Sequence, residues 1–371
     1  MTQRESAMAD GNVPPAGKFM VDPYLEWVKQ EAVPVHEDFC LNLHRLDVRP
    51  WARFGVKGCI AHLKGRGDFI TVFVIEIPPG GQTLPIKHLY EETVLVLSGH
   101  GSTTVEDHSG QSHTFEWGPN SLFAPPLNCR HQHFNGSGRE PVRLALSGNF
   151  PAVLNLFHSE TFVFDNPCKF PEREGAANHF TGEGDFIAVR PGKNMWETNF
   201  VPDLANLRLE KWAARGGHSS HVQLILADGV LHAHCSEMPV GTYKKAHRHG
   251  PDVHVFCITG SGYSLFWFEG DKEFLRFDWG PGCVFAPEDM MFHQHFNSSA
   301  EPVRYLAIGH GSVRYPFTTN MWRVYRGVDV STKTGGNQIE YTDQDPRIHK
   351  LYVEEMAKLG LRPKMEDFIK S

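Results

Sequence analysis

Trp117-Gly118-Pro119, Phe123-Ala124-Pro125 and His131-Gln132-His133-Phe134-Asn135 return later in the chain, in the same order and at the same spacing, as Trp279-Gly280-Pro281, Phe285-Ala286-Pro287 and His293-Gln294-His295-Phe296-Asn297. A repeat of this length means that one structural unit has been built twice, so any fold assigned to one half must hold for the other. Working upstream, Leu97-Ser98-Gly99-His100-Gly101 answers to Ile258-Thr259-Gly260-Ser261-Gly262. Further up, Trp51-Ala52-Arg53 answers to Trp212-Ala213-Ala214, and Trp51 stands as far from His88 as Trp212 does from His249.

Inside each copy, short runs rich in Val, Ile, Phe and Tyr are broken at close intervals by Gly, Pro and Asn, the pattern of an all-β barrel or sandwich. Phe69–Ile77, Thr93–Leu97, Val142–Leu146, Val222–Leu226 and Val255–Ile258 read as strands. Helix is expected only at the edges. One short helix follows Pro23, over Tyr24 to Gln30. A longer one starts with Asp345 as N-cap and Pro346 in the first turn, carries a stripe of Ile348, Leu351, Tyr352, Met356 and Leu359, and stops at Gly360. The expected organisation is an N-terminal arm (1–50), a first barrel (51–150), a Pro- and Gly-containing connection (151–211), a second barrel (212–315) and a C-terminal extension with a helix (316–371).

A formal net charge of −7 argues against a generally basic nucleic-acid binder and against attraction to an anionic membrane. Met1 to Phe19 lacks an apolar core of signal-peptide length and no later run is long and apolar enough to span a bilayer, so a cytoplasmic location is expected. Seven cysteines lie singly, without a C-x-x-C pair, which reads as reduced thiols.

The chemistry concentrates in the second copy. His247-Arg248-His249 falls in a segment expected to be extended, where side chains two apart share a face, so Lys245, His247 and His249 are expected to point together. His293 enters from another strand. Where the second copy has His232, His234 and Ser236 on one strand face, the first has Thr71, Phe73 and Ile75. Polar groups directed into a barrel are costly unless paired or ligated, so the second barrel is the expected host of metal and substrate. In the first copy His88, Glu92 and His131 form either a two-histidine, one-carboxylate metal face or a set of hydrogen-bonded core residues.

Gly241, His247, His249 and Gly260, followed by Gly280, Pro287, His293 and Asn297, resemble the two motifs of the cupin superfamily, and the resemblance covers both repeats. It implies two tandem cupin barrels (double-stranded β-helix, jelly-roll) with short peripheral helices, a bicupin whose metal is held by His247, His249 and His293. The motif glutamate is replaced by Val253 or His254, which makes His254 a further candidate ligand. A three-histidine site lacking the glutamate is similar to that of the gentisate 1,2-dioxygenase group. That resemblance implies a non-haem Fe(II) enzyme that cleaves a small hydroxylated aromatic acid with O2, with Ni, Mn, Zn or Cu as other suitable ions. Lys245 is then the expected carboxylate partner, with His295, His232 and His234 in acid/base or supporting roles, and self-association into a homo-oligomer is expected. Gln294 and Phe296 depart from that group's second motif. Two other classes stay open: a redox-neutral metalloenzyme (isomerase, lyase or hydrolase) and a non-catalytic ligand-binding bicupin.

Overall fold

Alternating apolar runs closed by Gly and Pro give strands whose inward side chains must meet across a barrel, and the chain does this twice. A computed structural model describes residues 21–190, 193–250, 252–312, 314–315 and 327–369. Met1 to Phe19 and residues 316–326, which the sequence reading also used, lie outside them. Four sheets carry the fold, two to each barrel.

The larger sheet of the first barrel runs in the order Val35–Asp38, Val56–Leu63, Thr71–Ile77, Val142–Gly148, Glu92–Ser98, Leu122–Phe123, Phe200–Val201. Facing it is the set Arg130–Asn135, Gly101–Glu106, Ser112–Trp117. The second barrel repeats the plan with Ser220–Leu226, Leu231–Met238, Val303–His310, Val253–Thr259 and Cys283–Phe285 on one side. Leu275–Trp279, Gly262–Trp267, Phe292–Asn297 and Ala246–His247 lie on the other. The repeated glycines serve the turn between sheets. Gly260 has φ +70°, and a Cβ on Gly262 would sit 2.0 Å from the Phe296 carbonyl oxygen, so neither position accepts a side chain without strain.

The two barrels exchange edges. Cys40–Asn42, from the N-terminal arm, pairs with Cys283–Phe285 of the second barrel, and Phe200–Val201, from the connection, pairs with Leu122–Phe123 of the first. A reciprocal carboxylate contact reinforces this. Buried Asp252 of the second barrel accepts the backbone N–H groups of Gly67, Phe69 and Ile70 in the first. Glu91 of the first barrel accepts those of Val230 and Leu231 in the second. Each carboxylate satisfies amides at a strand start that would otherwise be buried unpaired.

Helices stay peripheral. Pro23–Glu31 is capped by Asp22, whose Oδ1 accepts Leu25 N–H at 2.9 Å, and Pro346–Lys358 is capped by Asp345 in the same manner. The second helix buries Ile348, Tyr352 and Met356, while Leu359 lies half exposed at its end. The connection is not a bare linker, since it holds the helices Phe150–Phe157 and Glu160–Phe164 and the hairpin Asp185–Arg190/Lys193–Thr198. Trp27 of the first helix and Phe150 of the connection lie 4.6 Å apart between ring centroids, and both pack with Phe73 and Ile75. These bulky side chains fill the first barrel.

Candidate metal centre

His247 pairs directly with His293 across the strands Ala246–His247 and Phe292–Asn297, and His249 follows two residues later, so the backbone register alone brings the three rings together. Their ring centroids are 4.0 Å (His247–His293), 4.6 Å (His249–His293) and 5.4 Å (His247–His249) apart, and one nitrogen from each lies within 4.8 Å of the others. His249 Nδ1 hydrogen-bonds to the Gly250 carbonyl at 2.8 Å and His293 Nδ1 to the Met291 carbonyl at 3.0 Å. Both rings must donate from Nδ1, which leaves Nε2 as an acceptor facing inward, that of His293 3.0 Å from His247 Nε2. Burial holds all three imidazoles well below their usual pKa, His249 at about 4, so they are neutral, the form that ligates a metal.

The first barrel has a second cluster. Glu92 Oε1 lies 3.7 Å from His88 Nε2 and 3.9 Å from His131 Nε2, and these three atoms are buried without a hydrogen-bond partner. Their other sides are occupied: His88 Nδ1 meets the Tyr90 carbonyl, His131 Nδ1 the Cys129 carbonyl, and Glu92 Oε2 accepts from the Tyr90 hydroxyl. Three unpaired polar atoms converging in a buried site fit a divalent cation, which would satisfy all of them at once. By repeat register, Ile86 stands where His247 is, and Val253 stands where Glu92 is. Each barrel therefore lacks a different one of the four motif ligands.

The remaining predicted residues divide. His295, His232 and His234 line the cavity beside the second cluster. Trp279 Nε1 donates to Ser264 Oγ at 2.8 Å, which frees the serine hydrogen for His295 Nδ1 at 2.9 Å. With the serine as donor, His295 carries its proton on Nε2, toward the cavity. His232 Nε2 and His234 Nδ1 share a hydrogen bond of 2.7 Å.

Lys245 is a correction: it turns away from the cavity and pairs with Glu340 at 2.5 Å, and Lys244 lines the cavity in its place. The cause is a bulge. Tyr243 bridges Phe296 while His247 pairs with His293, so four steps on one strand face three on the other and the alternation slips by one. His254 is a second correction. Its Nε2 points to Asp252 at 3.3 Å, on the side facing the first barrel, and Val253 takes the inward position.

Arg215 escaped the sequence reading. It follows the repeated Trp212, is buried, and its guanidinium donates to the Val328 carbonyl at 3.0 Å and lies 2.6 Å from His247 Nε2. The signal was an arginine next to a matched motif in a barrel already rich in inward polar groups. Lys244 is equally buried and donates to the Tyr305 hydroxyl at 2.6 Å. Burial first, then the Arg215 charge, holds its ammonium well below the usual lysine pKa. The cavity measures about 70 Å³. Among the described residues no helix is long and apolar enough to cross a membrane.

No protein-family model matches the chain, and no curated protein does either. Among solved structures, a formate complex of oxalate decarboxylase from Lactobacillus farciminis aligns at 15% identity and a TM-score of 0.49, over 80% of this chain and 95% of that one. A Bacillus subtilis oxalate decarboxylase studied for its Mn(II) centres aligns at 15% identity and a TM-score of 0.47, over 78% and 81%.

Proposed function

We propose that the protein is a metal-dependent enzyme acting on a small carboxylic acid in a redox-neutral reaction of the lyase or isomerase type, in the second barrel. The observation that carries this reading is the cavity. It joins three neutral histidines to a buried guanidinium and a buried lysine, yet at about 70 Å³ it has about half the volume of an engineered 150 Å³ cavity that holds benzene. That space suits a carboxylate of a few carbons better than a ring-sized hydroxylated acid.

Bound to His247, His249 and His293, a divalent ion would supply Lewis acidity toward a substrate oxygen. The chain's own residues do the rest. Arg215 and Lys244 bind and orient the carboxylate, and an anion beside Lys244 raises its proton affinity, so substrate binding draws a proton onto Nζ. His295 presents an Nε2 proton to the cavity and can return it through Ser264, and the His232–His234 pair passes a proton between rings. Val253 and Val255 exclude water on the remaining side.

The donor set also suits Fe(II) with O2, the aromatic ring-cleaving reading, so the experiment must separate the two. Protein reconstituted in turn with Mn(II), Fe(II), Ni(II), Zn(II) and Cu(II) is given a panel of two- to four-carbon acids and hydroxybenzoates, with and without O2. The proposal expects turnover of a small acid that persists anaerobically. Turnover confined to a hydroxybenzoate, with O2 consumed mole for mole, would overturn it and restore the dioxygenase.

A further inference from the structure

A third group of ligating side chains lies outside both barrel centres. His108 sits in the turn between the strands Gly101–Glu106 and Ser112–Trp117, Cys129 immediately precedes Arg130–Asn135, and Glu174 ends the short 3-10 turn Pro171–Arg173 of the connection. One ligating atom from each lies within 4.8 Å of the others. His108 Nε2 is 3.6 Å from Cys129 Sγ. A tetrahedral zinc site with Zn–S of about 2.3 Å and Zn–N of about 2.0–2.1 Å has an S···N edge of roughly 3.5 Å, so the pair already stands at coordination spacing.

The surroundings favour a cation. Cys129 is 2% exposed, and the Glu174 carboxylate stands in the same cluster. One thiolate and one carboxylate would neutralise a divalent ion. The ligands are held from behind, since Lys169 Nζ donates to the His108 carbonyl at 2.8 Å and Asn199 Nδ2 to the Glu174 carbonyl at 2.7 Å. His108 Nε2 is also 3.2 Å from the Leu127 carbonyl and can serve only one partner in a metal-free cluster. The repeat supplies a control: Glu269 and Met291 occupy the corresponding places in the second half, so the donor set belongs to the first half alone.

We propose that His108, Cys129 and Glu174 bind a zinc ion, with the fourth position open to water, and that this ion fastens the connecting segment to the first barrel. Mixed sulfur, nitrogen and oxygen donors suit zinc better than the hard cations. The Cys129 carbonyl also accepts from His131 Nδ1, so the ion would steady one residue of the first barrel's own cluster.

Cobalt(II) separates this site from the other two, because neither barrel cluster contains sulfur. The full chain loaded with Co(II) is expected to show a near-ultraviolet thiolate-to-cobalt charge-transfer band. The band should persist in His293→Ala and Glu92→Gln, and vanish in Cys129→Ser and in His108→Ala. The latter changes a half-exposed turn and leaves the packed cysteine in place. Zinc content should fall by one equivalent per chain in both. A wild-type protein without the band, or a band that survives either Cys129→Ser or His108→Ala, would show a hydrogen-bonded cluster only and end the proposal. Neither result bears on the barrel chemistry.

Discussion

The two barrels share a strand plan and differ in what faces inward. Thr71, Phe73 and Ile75 line one strand of the first; His232, His234 and Ser236 stand in the same places in the second. Trp27 and Phe150 add bulk to the first interior, whereas a cavity opens in the second. Their ligand sets are complementary too, one keeping the glutamate and losing a histidine, the other the reverse. A repeated frame of turns and strand apolarity thus specifies the barrel, while a few inward positions decide whether it packs or reacts. Inward positions can diverge because the turns repeated in both copies also set the register.

The sharpest way to break this contrast is to remove one histidine from each side. His293→Ala should abolish turnover, by at least about a thousandfold, and release one equivalent of metal, because the Lewis acidity at the substrate oxygen goes with the ion. His131→Ala should also lose an equivalent yet keep most activity. Equal losses of turnover in the two variants would place chemistry in both barrels.

Lys244→Met tests which lysine faces the cavity. A fall in kcat/KM of about a hundredfold with metal content unchanged is expected, as for loss of a buried charge-assisted contact, whereas Lys245→Met should be nearly silent. The reverse order would mean that the bulge does not exist in solution.

Acid should weaken the metal-free protein. Burial holds His62, His131 and His249 at about 4 in the folded state. An unfolded histidine titrates near 6.5, so between these values the unfolded chain binds protons that the folded chain refuses. Stability then drops as pH falls, by up to about 3 kcal/mol per group. Denaturant melts at pH 7.5 and 5.0 should show the loss, and a divalent metal should offset the share of His131 and His249 but not that of His62. Melts independent of pH would remove the case for neutral buried imidazoles.

Asp252→Asn should cost about 1–3 kcal/mol, since an amide keeps one acceptor oxygen where the carboxylate served three N–H groups across the barrels. Glu91→Gln, with two such bonds, should cost less. Smallest of all, Ile86→His would complete the first barrel's ligand set and tighten its metal by about tenfold in competitive titration. No gain there would mean that the neighbouring packing forbids a fourth ligand.

Much was legible in the chain itself. The matched Trp-Gly-Pro and His-x-His blocks announced two barrels, Asp345-Pro346 announced a capped helix, and the spacing of His247, His249 and His293 announced rings that could converge. All three are local or periodic signals, and short-range geometry sets them. Lys244, Arg215 and the Asp252–Glu91 exchange were not legible for one common reason. Each depends on where one segment meets another: a bulge that shifts a strand by one residue, a guanidinium brought onto a distant histidine, a carboxylate reaching the opposite barrel's amides. Alternation along a strand states which residues share a face, but only the partner strand determines where that alternation slips, and that is a property of the folded whole.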